Sequence, residues 1–347
     1  MPISISRIPA AVLIVTTILL TACGGGGGTS GSTSGQAGSS TPVTGVAITS
    51  ANSRDVGTQV YSASQGLNNQ VTSTPAIVTA VSTSGNGTGI LDAVVQQIYF
   101  ALRHPSPGVA VGVTATETVP CSGGGSATIA ATVANTATFS SGDRINVNAG
   151  NCVEGTIKMN GVMDIVFNSV MGTPSGTSAW SASLGITFNA FSVTENFTGT
   201  SNTATGDLAL AYNQSGLNNA SFSGSGNALQ MHVVNGASTT DYTLSAYAYS
   251  GSVDPTNLYT YHSDFTVSGN IPRVGNASYV VRTTTDFKQQ RGSYPSQGVM
   301  TITASDHSSL RFTVLNATSV QLGVDKNGDG TMDDTISTTW AELKSLS

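Results

Sequence analysis

The segment LYTYHSDFTV, residues 258–267, alternates apolar and polar side chains along its length. Tyr259, Tyr261 and Phe265 fall on one side of an extended chain, with His262 and Asp264 on the other. A period of two marks a strand with one face buried. The same texture recurs in ITFNAF, DLALAY, SYVVRTTTDF, GVMTITA and SLRFTVL, separated by Gly, Asn, Ser and Pro. Short runs bounded by turn residues predict antiparallel β structure, here from about residue 127 to 339. Roughly a dozen or more such runs exceed what a flat sheet holds without curling or splitting. The expected fold is therefore mainly β, a large curled antiparallel sheet or sandwich of many short strands. No fixed-length repeat is visible, which disfavours a propeller or solenoid.

One hairpin can be given a register from its sequence. In NCVEGTIKMNGVMDIVF, residues 151–167, a two-residue Asn160-Gly161 turn would mix apolar and charged side chains on one face. A three-residue turn, Met159-Asn160-Gly161, pairs Ile157 with Met163 and Val153 with Phe167. It gathers Val153, Ile157, Met163, Ile165 and Phe167 on one face. Glu154, Thr156, Lys158 and Asp164 share the other. Since a slip of one residue flips every side chain, the second register is expected.

Upstream, the period lengthens. Val56, Val60, Ala63 and Leu67 are spaced for a helix near residues 51–66, with Ser50 or Asn52 available as a cap and Gly57 as a weak point. Ile90, Leu91, Val94, Val95, Ile98 and Leu102 form a second stripe near 89–104, ended by Pro105. Both helices are expected to pack on the sheet. At the other end, Thr339-Trp-Ala-Glu342 is a capping-box pattern opening a short C-terminal helix, with Trp340 as a packing residue.

The first 22 residues combine one basic side chain, an apolar core from Ile8 to Leu20 and small residues, the layout of a secretory signal. The core is shorter than the ~20 apolar residues that span a bilayer. Leu20-Thr21-Ala22-Cys23 resembles the lipobox of bacterial lipoproteins. That resemblance implies cleavage before Cys23, acylation of Cys23 and a lipid anchor in the cell envelope. Gly24 in place of an inner-membrane retention Asp implies the outer membrane of a Gram-negative cell. Residues 23–45 are then a lipidated Cys followed by Gly, Ser and Thr that cannot bury apolar surface, a flexible tether. The remainder, 46–347, reads as a single β-rich domain.

Charged residues make up 9 % of the chain and the net charge is -6, with 12 basic residues scattered along it. That composition argues against a nucleic-acid partner, which needs clustered Lys and Arg. A membrane barrel, which shows alternating segments of about ten residues with aromatic girdles, is disfavoured because these strands read as often shorter and only 6 % of residues are aromatic. In an exported chain Cys121 and Cys152 are expected to form a disulfide.

Catalytic signatures are missing from the sequence. His104, His232, His262 and His307 stand in no zinc pattern, and no Walker A loop, dinucleotide fingerprint or GxSxG elbow is present. The four glutamates, Glu117, Glu154, Glu195 and Glu342, lie far apart in sequence. Glu195 shares its strand phase with Phe191, Val193 and Phe197, which fits a strand end, a bulge or an edge position, or a functional carboxylate facing an apolar region. His262 and Asp264 share a strand face that serves either as a solvated face or as a binding face.

The most specific local pattern is DKNGDGTMDD, where Asp325, Asn327, Asp329 and Asp333 alternate around Gly330. Alternate hard oxygens on a tight loop suit calcium, with Thr331 contributing its carbonyl. These residues resemble EF-hand and thrombospondin-type loops, but Ile336 stands where an EF-hand places a bidentate Glu. A metal-free turn uses the same residue types. The order of features (signal, tether, helix, β-rich body with a cysteine pair, DxNxDG) resembles β-rich envelope lipoproteins of proteobacteria. The expected function is a non-enzymatic envelope lipoprotein presenting a structural or binding domain, with a protein, glycan or lipid partner. The alternatives are a carrier of a lipid or small apolar ligand inside the curled sheet, and an envelope hydrolase with sequence-distant carboxylates.

Overall fold

The computed structural model describes residues 45–68, 114–134, 139–172, 179–197, 199–216 and 219–346. They begin with helix α1 (Ser53–Asn68), followed by β1 (Thr114–Pro120), β2 (Ser126–Thr132), β3 (Arg144–Glu154), β4 (Ile157–Met171) and β5 (Trp180–Glu195). Next come β6 (Ser201–Gly216), β7 (Asn219–Asn235), β8 (Ser238–Val253), β9 (Leu258–Ile271) and β10 (Gly275–Gln290). The chain closes with β11 (Pro295–Ala304), β12 (Ser309–Val314), β13 (Ser319–Asp325), β14 (Asp334–Thr339) and the short helix α2 (Trp340–Lys344). All 14 strands form one sheet in which every strand pairs antiparallel with its sequence neighbours, and β1 and β14 are its edges. These elements belong to one unit, Val43–Ser347.

Alternation puts one face of this meander into a continuous apolar core. On β9, Tyr259, Tyr261, Phe265 and Val267 are buried while His262 and Asp264 remain half-exposed on the other face. Helix α1 lies on the core side against β8, β9, β12 and β13, with Val56 and Val60 fully buried. Gly57 is what lets it approach, since a Cβ there would sit 3.3 Å from Leu310 and Phe312. Tyr61 stacks on Phe312 at 5.5 Å, leans on Trp340 at 4.9 Å and meets Tyr261 through hydroxyls 2.9 Å apart. Asn52 precedes the helix, but its side chain turns back to accept the Thr49 N–H rather than capping forward. Thr339 and Glu342 form the expected capping box of α2, and Trp340 is buried with its indole N–H on the Pro295 carbonyl.

Several expectations need correction. Strands begin at Thr114, not near residue 127, and β4 to β10 are 14 to 17 residues long rather than short. The elements form one sheet rather than a sandwich. The β3–β4 turn is at Gly155-Thr156, closing on the pair Glu154–Ile157, and Met159-Asn160-Gly161 lies inside β4 at a bulge. Ile157, Met163, Ile165 and Phe167 share the buried face and Asp164 the outer one, because the extra residues lie in β3 and β5 and β4 runs unbroken as far as Phe167. Val153, shifted by the β3 bulge, pairs with Lys158 rather than Phe167 and leaves that face. Of the two N-terminal helices α1 is present; the one placed at 89–104 lies outside the described residues, as do His104, Cys23, the signal segment and the tether as far as residue 44.

Candidate binding face

The outer face of β5 to β9 is built from rows of short side chains. Register aligns Ser181, Asn213, Ser221, Ser252 and Thr260 in one row across the five strands. A second row is Ser183, Ala211, Ser223, Ser250 and His262, and a third is Gly185, Ala209, Ser225, Ala248 and Asp264. The second and third rows line a shallow open depression of about 370 Å³, with His262 and Asp264 as its wall on β9. On the inner face beneath it, Tyr249 and Tyr247 of β8 lie over Gly224 and Gly226 of β7. A Cβ at either glycine would fall within 2.3 Å of a tyrosine atom. The Tyr247 hydroxyl donates to the Asp207 carbonyl, and burial pushes the Tyr249 hydroxyl well above its ordinary pKa.

His262 is held from both sides. Its Nδ1 is 2.9 Å from Asp286 Oδ1 and its Nε2 is 3.4 Å from Asp264 Oδ1. Asp264 also accepts the Thr283 N–H at 3.0 Å and lies 3.8 Å from the Arg282 guanidinium. A carboxylate at each ring nitrogen fixes the imidazole plane and leaves oxygens of both acids facing solvent. Sequence phase brought His262 and Asp264 together, as seen here, but Asp286 was missed. It reaches His262 because β10 takes five steps, Arg282 to Phe287, where β9 takes three, Asp264 to Tyr261. Buried Thr283 fills that bulge, accepting the Ser263 N–H and donating to the Ser263 carbonyl.

The other candidates sit apart. Cys121 and Cys152 form a disulfide with 5.4 Å between Cα atoms. Glu154 beside it accepts the Ser122 N–H and hydroxyl, both at 2.8 Å. These three are the only acid, thiol or imidazole group of three that converges within 4.8 Å among the described residues, and its sulfurs are bonded to each other. Glu117 lies on β1, Glu195 half-buried at the end of β5 opposite Ile157, and Glu342 in α2. His232 pairs with Asp241 at 2.6 Å on an exposed surface, and His307 lies in the β11–β12 turn.

In the 325–333 loop, Asp325 is 2 % exposed and accepts N–H groups from Asn327, Gly328 and Gly330. Asp329 accepts the Thr331 N–H and an Asn327 amide proton, which hold its carboxyl below the usual range. Asp333 accepts the Lys326 N–H at 2.7 Å. The loop thus carries oxygens of the type calcium takes and satisfies them from its own backbone. Its three carboxylates do not converge within 4.8 Å. Among the described residues no helix is long and apolar enough to cross a membrane. Comparison with known proteins finds no matching family model, no similar curated protein and no similar solved structure.

Proposed function

We propose that this chain is an envelope lipoprotein, acylated at Cys23, whose β domain is a non-enzymatic binding module for a short neutral glycan. The observation that carries the reading is the depression on β5–β9 that presents the Ser183, Ser223, Ser225 and Ser250 hydroxyls beside His262 and Asp264, with Asp286 on the far side of the imidazole. Serine hydroxyls both donate and accept, so they suit sugar hydroxyls, while the two carboxylates accept more. The lining alternates these hydroxyls with small apolar patches from Ala209, Ala211 and Ala248, a mixture that suits the two-sided surface of a sugar ring. An acidic polymer would meet two carboxylates against one arginine. The volume is at the small end of the ~300–1,000 Å³ of ligand pockets, and its openness implies modest affinity. The test is titration of the domain with a panel of neutral and acidic oligosaccharides, followed by NMR. Shifts confined to the Ser223 and Ser250 region with a neutral member, lost in Ser223→Arg, are expected. No shift with any member, or equal shifts in Ser223→Arg, would reject the glycan reading.

Calcium at the 325–333 loop is a second and separate proposal. It rests on the residue pattern and on the exposure of Asp329 and Asp333, and it requires calcium to draw together carboxylates that stand apart without it. Asp325, Asn327, Asp329 and Asp333 would supply side-chain oxygens and Thr331 its carbonyl.

A further inference from the structure

We propose that one rim of the sheet faces the lipid bilayer: the rim formed by the β9–β10, β11–β12 and β13–β14 turns. This orientation rests on the lipid-anchor reading of Cys23. In a meander alternate turns share a rim, so the β3–β4, β5–β6 and β7–β8 turns lie there too. The point where the chain joins the domain is fixed at this rim by four hydrogen bonds. The Gly45 N–H donates to Ser305 Oγ at 3.1 Å, and the Ile48 N–H to Ser308 Oγ at 2.8 Å, both in the β11–β12 turn. The Tyr279 hydroxyl donates to the Val46 carbonyl at 3.1 Å, and Ser50 Oγ donates to Asp334 at the β13–β14 turn. Helix α1 then runs away from the rim: Arg273 in the β9–β10 turn is 3.6 Å from Asp55 in its first turn, whereas Gln59 reaches the Leu346 carbonyl beyond α2.

Residues 24–45 are all that separates Cys23 from this pinned point. A Gly/Ser-rich coil of that length spans roughly 25 Å on average. The long strands extend about 50 Å at 3.3 Å per residue, so the opposite rim stays farther from the lipid. Beside the entry point the near rim is acidic, with Asp306, Asp329, Asp333 and Asp334 against Lys326 and Arg273, while its β5–β6 turn exposes Phe197 to the lipid side. The far rim, carrying the exposed Met171, Tyr294 and Leu315, is left free.

The test uses the full acylated chain on phosphatidylglycerol-containing vesicles with an energy acceptor on the headgroups. Cys23 is acylated and Cys121 is bonded to Cys152, so an introduced cysteine is the one free thiol. Dye at Thr331→Cys on the near rim is expected to transfer several-fold more efficiently than dye at Met171→Cys, which is exposed at the far end of the 15-residue strand β4. Equal or reversed efficiencies in chains that float with the vesicles would overturn the orientation while leaving the anchor intact. Failure of the acylation-competent chain to float would overturn the anchor reading, and the orientation with it.

Discussion

Asp325 is a buried carboxylate whose charge is balanced by three backbone N–H groups. These hydrogen bonds satisfy the buried carboxylate's oxygens without any cation. The loop therefore keeps its shape alone, and an ion has to gain from what remains: the exposed oxygens of Asp329 and Asp333. Binding to the folded state adds RT ln(1 + [L]/Kd), about 2.7 kcal/mol at 100-fold excess. With Ile336 where an EF-hand has its Glu, affinity at the ~10⁻⁴–10⁻³ M end of known modules is expected. Millimolar calcium should raise the melting temperature, and Asp329→Ala should remove most of the rise. Absence of any calcium-dependent shift in the wild type would reduce the loop to a self-satisfied turn.

At the scale of elements, the capping box of α2 gives a pH-dependent handle. The Thr338 hydroxyl, and after it the Thr339 N–H, donate to the Glu342 carboxylate and hold its pKa below the ordinary value of 4.5. A carboxylate depressed in the folded state stabilises it above the unfolded pKa, and this contribution is lost as pH falls through the lower folded value. Glu342→Gln should accordingly lower the melting temperature at neutral pH, with the difference from wild type shrinking below about pH 4. Thr339→Ala should cost about 1 kcal/mol in denaturant unfolding. A wild-type-to-Gln difference that stayed constant into acid would show that the carboxylate charge plays no part. This cap was legible because its four residues are contiguous in sequence. Strand length was not, and the reason is visible at Asn160-Gly161. Glycine with positive φ serves turns and also the positions facing β-bulges, and Gly161, at φ 93°, stands opposite the bulges of β3 and β5 where the sequence read a turn. Gly206 and Gly269, also at positive φ, likewise lie inside long strands. At the binding face, alternation alone placed His262 with Asp264, whereas Asp286 depended on a bulge that no local pattern signals.

On the scale of the molecule, β pairing is entirely between sequence neighbours, and each strand's register is set mainly by its hairpin turn. Composition and period sufficed for a large antiparallel sheet; the choice of one sheet over a sandwich depends on twist and bulges summed over many strands. Near the β1 edge, the disulfide joins the β1–β2 turn to the end of β3. At the other edge, β14 leads into α2, which packs against α1. The unit that carries the sheet is Val43–Ser347, and Cys23 lies outside it. Anchor and fold are therefore separable, and Cys23→Ser tests this. The variant should lose incorporation of labelled fatty acid and fail to fractionate with membranes, since each buried acyl CH₂ contributes about 0.8 kcal/mol and none would remain. Its β domain should melt at the same temperature as the acylated chain in detergent, because Cys23 lies outside the unit Val43–Ser347 that carries the sheet. Equal fatty-acid incorporation in the variant would eliminate Cys23 as the acylated residue. A lowered melting temperature would mean that the tether contributes to the fold.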